Sequence, residues 1–316
     1  IANPPGELQD AEIILSLGDL RLRVSPFGAA LRGLWRENAE GDVESIITGY
    51  SGAKAKVGGQ GDVLIPFPGR VREGRYTFEN HTYQMERNDK DGPNAIHGFL
   101  RLVTWEIVEQ SEVEAMFAVS LEANAHPGYP FALRVTVRYT LNDSGMTCRF
   151  TVANAGEQTA PVGAGFHPYF TVGSEQIDAD TLQVPFESIL EFDPGILPTG
   201  RVFSVEGTPL DFREPRSIGN TAFNTCYLNP VRDSAGHLVI RLASSGVSRR
   251  LGIWMDEAFN YVVLYSGDPL PESHRRRSLA IEPMTCGSDA FNHEQWGLVA
   301  LPPGQTMSGS WGVDVR

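Results

Sequence analysis

A strict two-residue alternation in the middle of the sequence constrains this chain more than any other feature. Phe131, Leu133, Val135, Val137, Tyr139 and Leu141 alternate with Ala132, Arg134, Thr136, Arg138 and Thr140, a period of two that specifies a strand with one buried face. Asn142-Asp143-Ser144-Gly145 then supplies turn chemistry, and Met146, Cys148, Phe150 and Val152 resume the rhythm. The spacing predicts a long antiparallel hairpin. The same alternation returns at Val113, Ala115, Phe117, Val119 and Leu121, at Leu238, Ile240 and Leu242, at Leu251, Ile253 and Met255, and at Trp311, Val313 and Val315. Between Tyr261 and Tyr265 nearly every residue is apolar, which suits a strand covered on both faces. No window sustains a helical stripe, so the expectation is an all-β protein with very little helix, a large sandwich or barrel.

A length of 316 residues fits one large domain or two. The least regular segment, from Glu187 to Asn220, carries Pro194, Pro198, Pro209 and Pro215 and could be a linker. Its interleaved Ile189, Leu190, Phe192, Ile196, Leu197, Val202, Phe203 and Leu210 give it too much to bury. Residues 1–316 are therefore expected to form a single domain. The net charge of −13 argues against a nucleic-acid partner, whose binding draws on lysine and arginine. A small neutral ligand is the better match. The densest basic run, His274-Arg275-Arg276-Arg277, follows Pro269-Leu270-Pro271 and reads as a solvated loop, the alternative being an arginine grip on an anionic substrate group. Three cysteines without a C-x-x-C pair make neither a disulfide framework nor a zinc site, which fits a reducing compartment and a cytoplasmic location. No apolar run approaches a membrane span, and the opening Ile1-Ala2-Asn3-Pro4-Pro5 is not a charged-then-apolar leader, although the missing initiator methionine leaves room for a trimmed segment.

Five stretches carry candidate chemistry. Leu279-Ala280-Ile281-Glu282-Pro283-Met284-Thr285-Cys286 brings a single carboxylate to the end of an apolar run, where Pro283 holds it extended. Glu282 there is either a fixed proton acceptor or a surface glutamate. In Gly163-Ala164-Gly165-Phe166-His167-Pro168-Tyr169-Phe170, the glycines are expected to leave room for a ligand and the rings to exclude water around His167, a tunable proton donor. Pro66-Phe67-Pro68-Gly69-Arg70 is a stiff loop presenting a guanidinium that suits a polyhydroxylated ligand, or a plain turn. His97, in Asn94-Ala95-Ile96-His97-Gly98, is a ligand contact or a core histidine, with Gly98 permitting close approach of another backbone. Asn224, in Thr221-Ala222-Phe223-Asn224-Thr225, is a structural amide or a partner for sugar hydroxyls. His126 reads as a turn residue, and His81, His237 and His293 as surface positions.

Together with Gly128-Tyr129-Pro130 and Glu282-Pro283-Met284-Thr285, these stretches resemble the aldose 1-epimerase (galactose mutarotase) family, in the family's order from Pro66 to Thr285. The version with Cys286 and Asp289-Ala290-Phe291 looks closest to the bacterial branch described as aldose epimerase-like. The resemblance implies a large antiparallel β-sandwich of galactose mutarotase type, a sugar cleft and no cofactor or metal. It implies Glu282 as general base, His167 as general acid, and Arg70 and His97 as substrate contacts. Asn224 falls where the family often has an aspartate, and Gly69 where it commonly has an asparagine, which leaves the sugar open.

The chemistry agrees with that resemblance. Mutarotation needs one base for the anomeric hydroxyl and one acid for the ring oxygen, expected here on opposite sides of a pyranose. A glycoside hydrolase would need a second carboxylate beside the first, and a cupin-type metal enzyme an H-x-H pair. An epimerase for a 6-phosphorylated or 6-sulfonated hexose, using the arginines before Glu282, and a non-catalytic carbohydrate-binding protein remain the alternatives.

Overall fold

A computed structural model describes residues 11–246 and 249–316; the opening segment read above lies outside them. Two antiparallel sheets dominate. The first runs through Ile13–Leu17, Leu20–Ser25, Ala30–Glu37, Val43–Thr48, Tyr169–Phe170, Leu279–Met284, Tyr261–Tyr265, Asn224–Pro230, Phe186–Phe192 and Pro198–Ser204. Gly165–Phe166 also pairs with Leu279–Met284, and with Val63–Leu64 on its other side. The second runs through Glu106–Gln110, Glu114–Leu121, Leu133–Asn142, Gly145–Asn154, Thr306–Val315, Arg250–Met255, Leu238–Ala243, Thr181–Gln183 and Arg216–Ser217. Helix among the described residues is confined to three-residue turns. None is long and apolar enough to cross a membrane.

The alternation read from the sequence sets the core. In the central hairpin Asn142 pairs with Gly145 across a two-residue turn, and Val135, Val137, Tyr139, Cys148, Phe150 and Val152 all face inward. They meet Leu22, Val24, Leu34, Val262, Leu264, Leu279 and Ile281 from the first sheet in one continuous cluster. Because Leu279 and Ile281 point into the sandwich, Ala280, Glu282 and Met284 point out of its far face. That face is covered as well: Leu64, Cys226, Val263 and Met284 form a second buried cluster there. The strand Tyr261–Tyr265 is accordingly covered on both sides along Tyr261, Val262, Val263 and Leu264. Cys148, Cys226 and Cys286 are buried free thiols.

Three expectations need correction. The run before Glu282 is not simply a solvated loop, because Arg276 is buried. Its guanidinium contacts Asp178 at 3.1 Å and Asp268 at 3.2 Å and donates to the Thr221 and Gly219 carbonyls, while Arg277 pairs with Glu175. Gly163 and Gly165 do not leave space for a ligand. A Cβ on Gly163 would lie 2.3 Å from Cys286 Sγ, and one on Gly165 2.7 Å from Pro68 Cβ, so their bareness lets protein pack on protein. His293 is half-buried and stacks on Trp296, ring centroids 4.0 Å apart. The segment from Glu187 to Asn220 does form strands rather than a linker, and it buries Leu190 and Leu197 but leaves Val202 and Phe203 exposed.

Overpacking at Gly163 gives a direct check. Gly163→Ala should cost about 1–3 kcal/mol in urea denaturation, and adding Cys286→Ala should cancel part of that loss by removing the clashing sulfur. Simple additivity of the two costs would contradict the packing described.

Candidate functional site

Register brings His167 and Glu282 together. Gly165 pairs with Met284 and Tyr169 with Ala280, so the residue opposite Glu282 is His167. Two prolines flank this row. Ile281 donates to the Pro168 carbonyl and Thr285 to the Ala164 carbonyl; Pro168 has no N–H to return the first of these bonds, and Pro283 has none for the rung between them. His167 and Glu282 thus form the pair between hydrogen-bonded rungs, where facing residues approach most closely. Their side chains lie on the same face with His167 Nε2 3.4 Å from Glu282 Oε1. His167 is 6% exposed and Glu282 2%. Glu282 sits within the strand, not at its mouth, since Pro283 still pairs with Val262. Nor do acid and base face each other across a gap: they are neighbours.

Each ring of the surroundings is tied down. Tyr169 stacks on His167 at 5.2 Å and donates its hydroxyl to the Gly58 carbonyl at 2.6 Å. Gly59 lies so close that a Cβ would come 2.9 Å from the His167 ring. The backbone of His167 is clamped by Gly61 N–H to its carbonyl and by its own N–H to the Asp62 carbonyl. His97 meets His167 edge to face at 5.6 Å. It occupies a left-handed conformation, φ 63°, and its Nδ1 accepts a hydrogen bond from the Gly69 amide at 3.2 Å. An accepting Nδ1 leaves the proton of the neutral ring on Nε2, so His97 offers an N–H donor. Gly98 packs against the Ile65 carbonyl, the close backbone approach its sequence position suggested.

Arg70 is held beside this group by Asp89 at 2.7 Å and Asp91 at 3.7 Å, with Asn94 also donating to Asp89. Asn224 opens its strand, is exposed, and its side chain makes no hydrogen bond among the described residues. It shares a face with Glu282 one row over, in the line Asn224, Tyr265, Ala280, Tyr169, which from strand spacing places it about 12 Å from Glu282. Across Ala280 the Tyr169 and Tyr265 rings meet edge to face, centroids 6.4 Å apart. Sequence reading missed Asp62, buried between Lys56 at 2.8 Å and Arg101 at 3.5 Å, and Asp89. The glycine-dense run Gly58-Gly59-Gln60-Gly61 before Asp62 was the available signal; Asp89, in a charged turn, offered none. No cluster of three metal-ligating side chains occurs among the described residues.

The sequence model of the family described as aldose 1-epimerase matches residues 13–313. The chain belongs to the aldose 1-epimerase family. Its relatives include the Escherichia coli (strain K12) uncharacterized protein YihR, 29% identical over 283 residues that cover 89% of this chain and 85% of that one. Galactose mutarotase from Sus scrofa is 24% identical over 317 residues, covering 92% and 90%. Among solved structures, the GalM/aldose epimerase homologue from C. elegans aligns with a TM-score of 0.86 at 21% identity, over 97% of this chain and 98% of that one. Galactose 1-epimerase from Lactobacillus acidophilus NCFM gives 0.79 at 20% identity, over 96% and 94%. At these identities the structural likeness shows the shared fold.

In this member of the family the buried pair resists charge. Burial pushes the Glu282 carboxyl well above its ordinary range, with the Arg70 charge pulling partly back. Burial likewise pushes His167 down to about 3, and the Lys56 and Arg101 charges add to the effect. His97 is driven down by burial and by the neighbouring His167, Arg101 and Arg70. Asp62 is raised by burial in spite of Lys56 and Arg101. Asp89 is pushed up by burial but held below its usual range overall, by hydrogen bonds from Arg70, Asn94 and the Asp91 amide. The favoured resting state is one proton on Glu282 and a neutral His167.

That state has a stability signature. Above pH 4.5 the unfolded chain loses the Glu282 proton while the folded chain keeps it, so this group makes stability fall with rising pH. Glu282→Gln removes the opposing contribution. Between the ordinary carboxylate and histidine values of 4.5 and 6.5, the variant's stability should rise with pH more steeply than the parent's, by about 1.4 kcal/mol per pH unit. Equal slopes in urea denaturation would mean that Glu282 is ionised in the resting protein.

Proposed function

We propose that this chain interconverts the α and β anomers of a neutral aldohexose, as one β-sandwich unit and without a cofactor. The observation that supports this best is the 3.4 Å contact between His167 and Glu282. The hydroxyl that loses a proton and the ring oxygen that gains one are bonded to the same anomeric carbon, so the acid and base that serve them must be adjacent. Glu282 takes the anomeric proton and His167 protonates the ring oxygen; the chain opens, the C1–C2 bond turns, and the ring recloses on the other face. The working form is the ionic tautomer, reached by moving the shared proton across the contact. His97 Nε2–H and the Arg70 guanidinium hold sugar hydroxyls, and the Asn224 amide lies at the exposed margin.

Two of the three arginines in the run are committed within the protein, which favours a neutral sugar over an anionic one; the third, Arg275, is exposed. Arg276 is fully engaged with Asp178, Asp268 and two carbonyls, and Arg277 with Glu175, so neither is available for a phosphate or sulfonate.

Glu282→Gln and His167→Asn should each lower the catalysed rate by at least about a hundredfold, with the fold intact by circular dichroism. Polarimetry on freshly dissolved α-sugar reads the rate, and near-parental turnover in either variant removes that residue from its role. Because the pair holds a single proton from about 3 upward, kcat/KM should stay level through pH 6.5, the ordinary histidine value. An acid limb centred there would contradict the shared-proton pair.

A further inference from the structure

The sheet face that carries Glu282 changes character on either side of it. One way it continues into Cys226, Val263 and Met284, which are buried and apolar. The other way lies the row Asn224, Tyr265, Ala280, Tyr169, where Tyr265 is half-buried and Asn224 exposed. Tyr265 stands diagonal to Glu282, since Val263 pairs with Glu282 and Tyr265 with Ala280. Strand spacing puts their Cα atoms about 8 Å apart, against about 12 Å for Asn224. The strands that carry Tyr265 and Tyr169 are separated by Leu279–Met284 and so lie about 10 Å apart. Their ring centroids are only 6.4 Å apart, so the two rings lean toward each other over Ala280, beside the pair.

The Tyr265 hydroxyl is unspent. Tyr76, Tyr129, Tyr139, Tyr169 and Tyr227 each donate to a backbone carbonyl, whereas among the described residues the Tyr265 hydroxyl has no hydrogen-bond partner. The acceptors around it are engaged elsewhere: Asp91 pairs with Arg70 at 3.7 Å, and Asp268 accepts from Ser266 and Arg276. Burial raises the phenol pKa, and the Asp268, Asp91 and Glu282 charges add to the rise. Those carboxylates include the partner of Arg70 and the partner of His167, so the phenol borders the same opening as both.

We propose that Tyr265 is a substrate contact that sets specificity, its hydroxyl donating to one sugar hydroxyl remote from the anomeric carbon. This rests on the reading of His167 and Glu282 as the acid and base of anomer exchange. A pyranose whose anomeric carbon lies over that pair has Tyr265 on the next row of the sheet and meets its phenol before it meets Asn224. The phenolic O–H suits a hydroxyl oxygen, and the ring offers an apolar surface beside it. Because the phenol is half-exposed, water can replace the sugar oxygen, and the contact grades sugars rather than excluding them.

Tyr265→Phe removes the oxygen and keeps the ring. Polarimetry on glucose and galactose, and on derivatives of each lacking one hydroxyl other than the anomeric one, tests the contact. On the better sugar the variant should lose at least about threefold in kcat/KM, mainly through KM. In the parent one derivative should carry a penalty of similar size, and Tyr265→Phe should turn over that derivative as well as it does the complete sugar. Parental kcat/KM in Tyr265→Phe, or penalties that multiply for every derivative, would overturn the proposal. If the parent accelerates no anomer exchange, the reading of the pair falls, and calorimetric titration with the same sugars decides the contact alone. Weaker binding by Tyr265→Phe then sustains it, whereas equal affinity, or no binding by the parent, overturns it.

Discussion

The buried contact between His167 and Glu282 is the interaction on which the rest of the site depends. Each group by itself is costly to enclose, since burial penalises whichever form is charged. Placed 3.4 Å apart, they can hold one proton between them and remain neutral as a pair. The register makes this possible by setting the two residues opposite each other in a row without hydrogen bonds of its own, flanked by Pro168 and Pro283. The ladder is kept in register by Gly165 with Met284 and Tyr169 with Ala280.

The charges around the pair are balanced locally. Lys56 and Arg101 share Asp62, and Arg70 is matched by Asp89 and Asp91. Arg70 acts on Glu282 and favours its ionised form, while Lys56 and Arg101 act on His167 and favour its neutral form. At both groups burial outweighs these charges. His97 belongs to the same design: its Nδ1 is committed to the Gly69 amide, which leaves a neutral ring with its donor on the other nitrogen.

Much of the architecture was legible because period-two alternation is a local signal; the central hairpin and the doubly covered Tyr261–Tyr265 strand could be read directly. His167 and Glu282 stood out each from its own neighbours, and the structure brings the two side chains into contact; the motif resemblance agrees with the family match over residues 13–313. Their contact was not legible, because the register that pairs distant strands is set by tertiary packing. Pro168 and Pro283 are plain in the sequence, yet nothing local shows that they flank the same row. Arg276 was misread for a related reason: a run of like charge resembles solvated loop until Asp178, remote in sequence, arrives beside it. Gly163 and Gly165 were misread because bare backbone suits tight packing as well as an open site.

The most direct measurement is a structure of the protein with an aldohexose bound. Glu282 and His167 are predicted to reach the anomeric hydroxyl and the ring oxygen of one sugar from the same side, each within hydrogen-bond distance, with His97 Nε2 directed at a neighbouring hydroxyl. A sugar seated elsewhere, or one whose anomeric carbon faces away from the pair, would contradict the assignment.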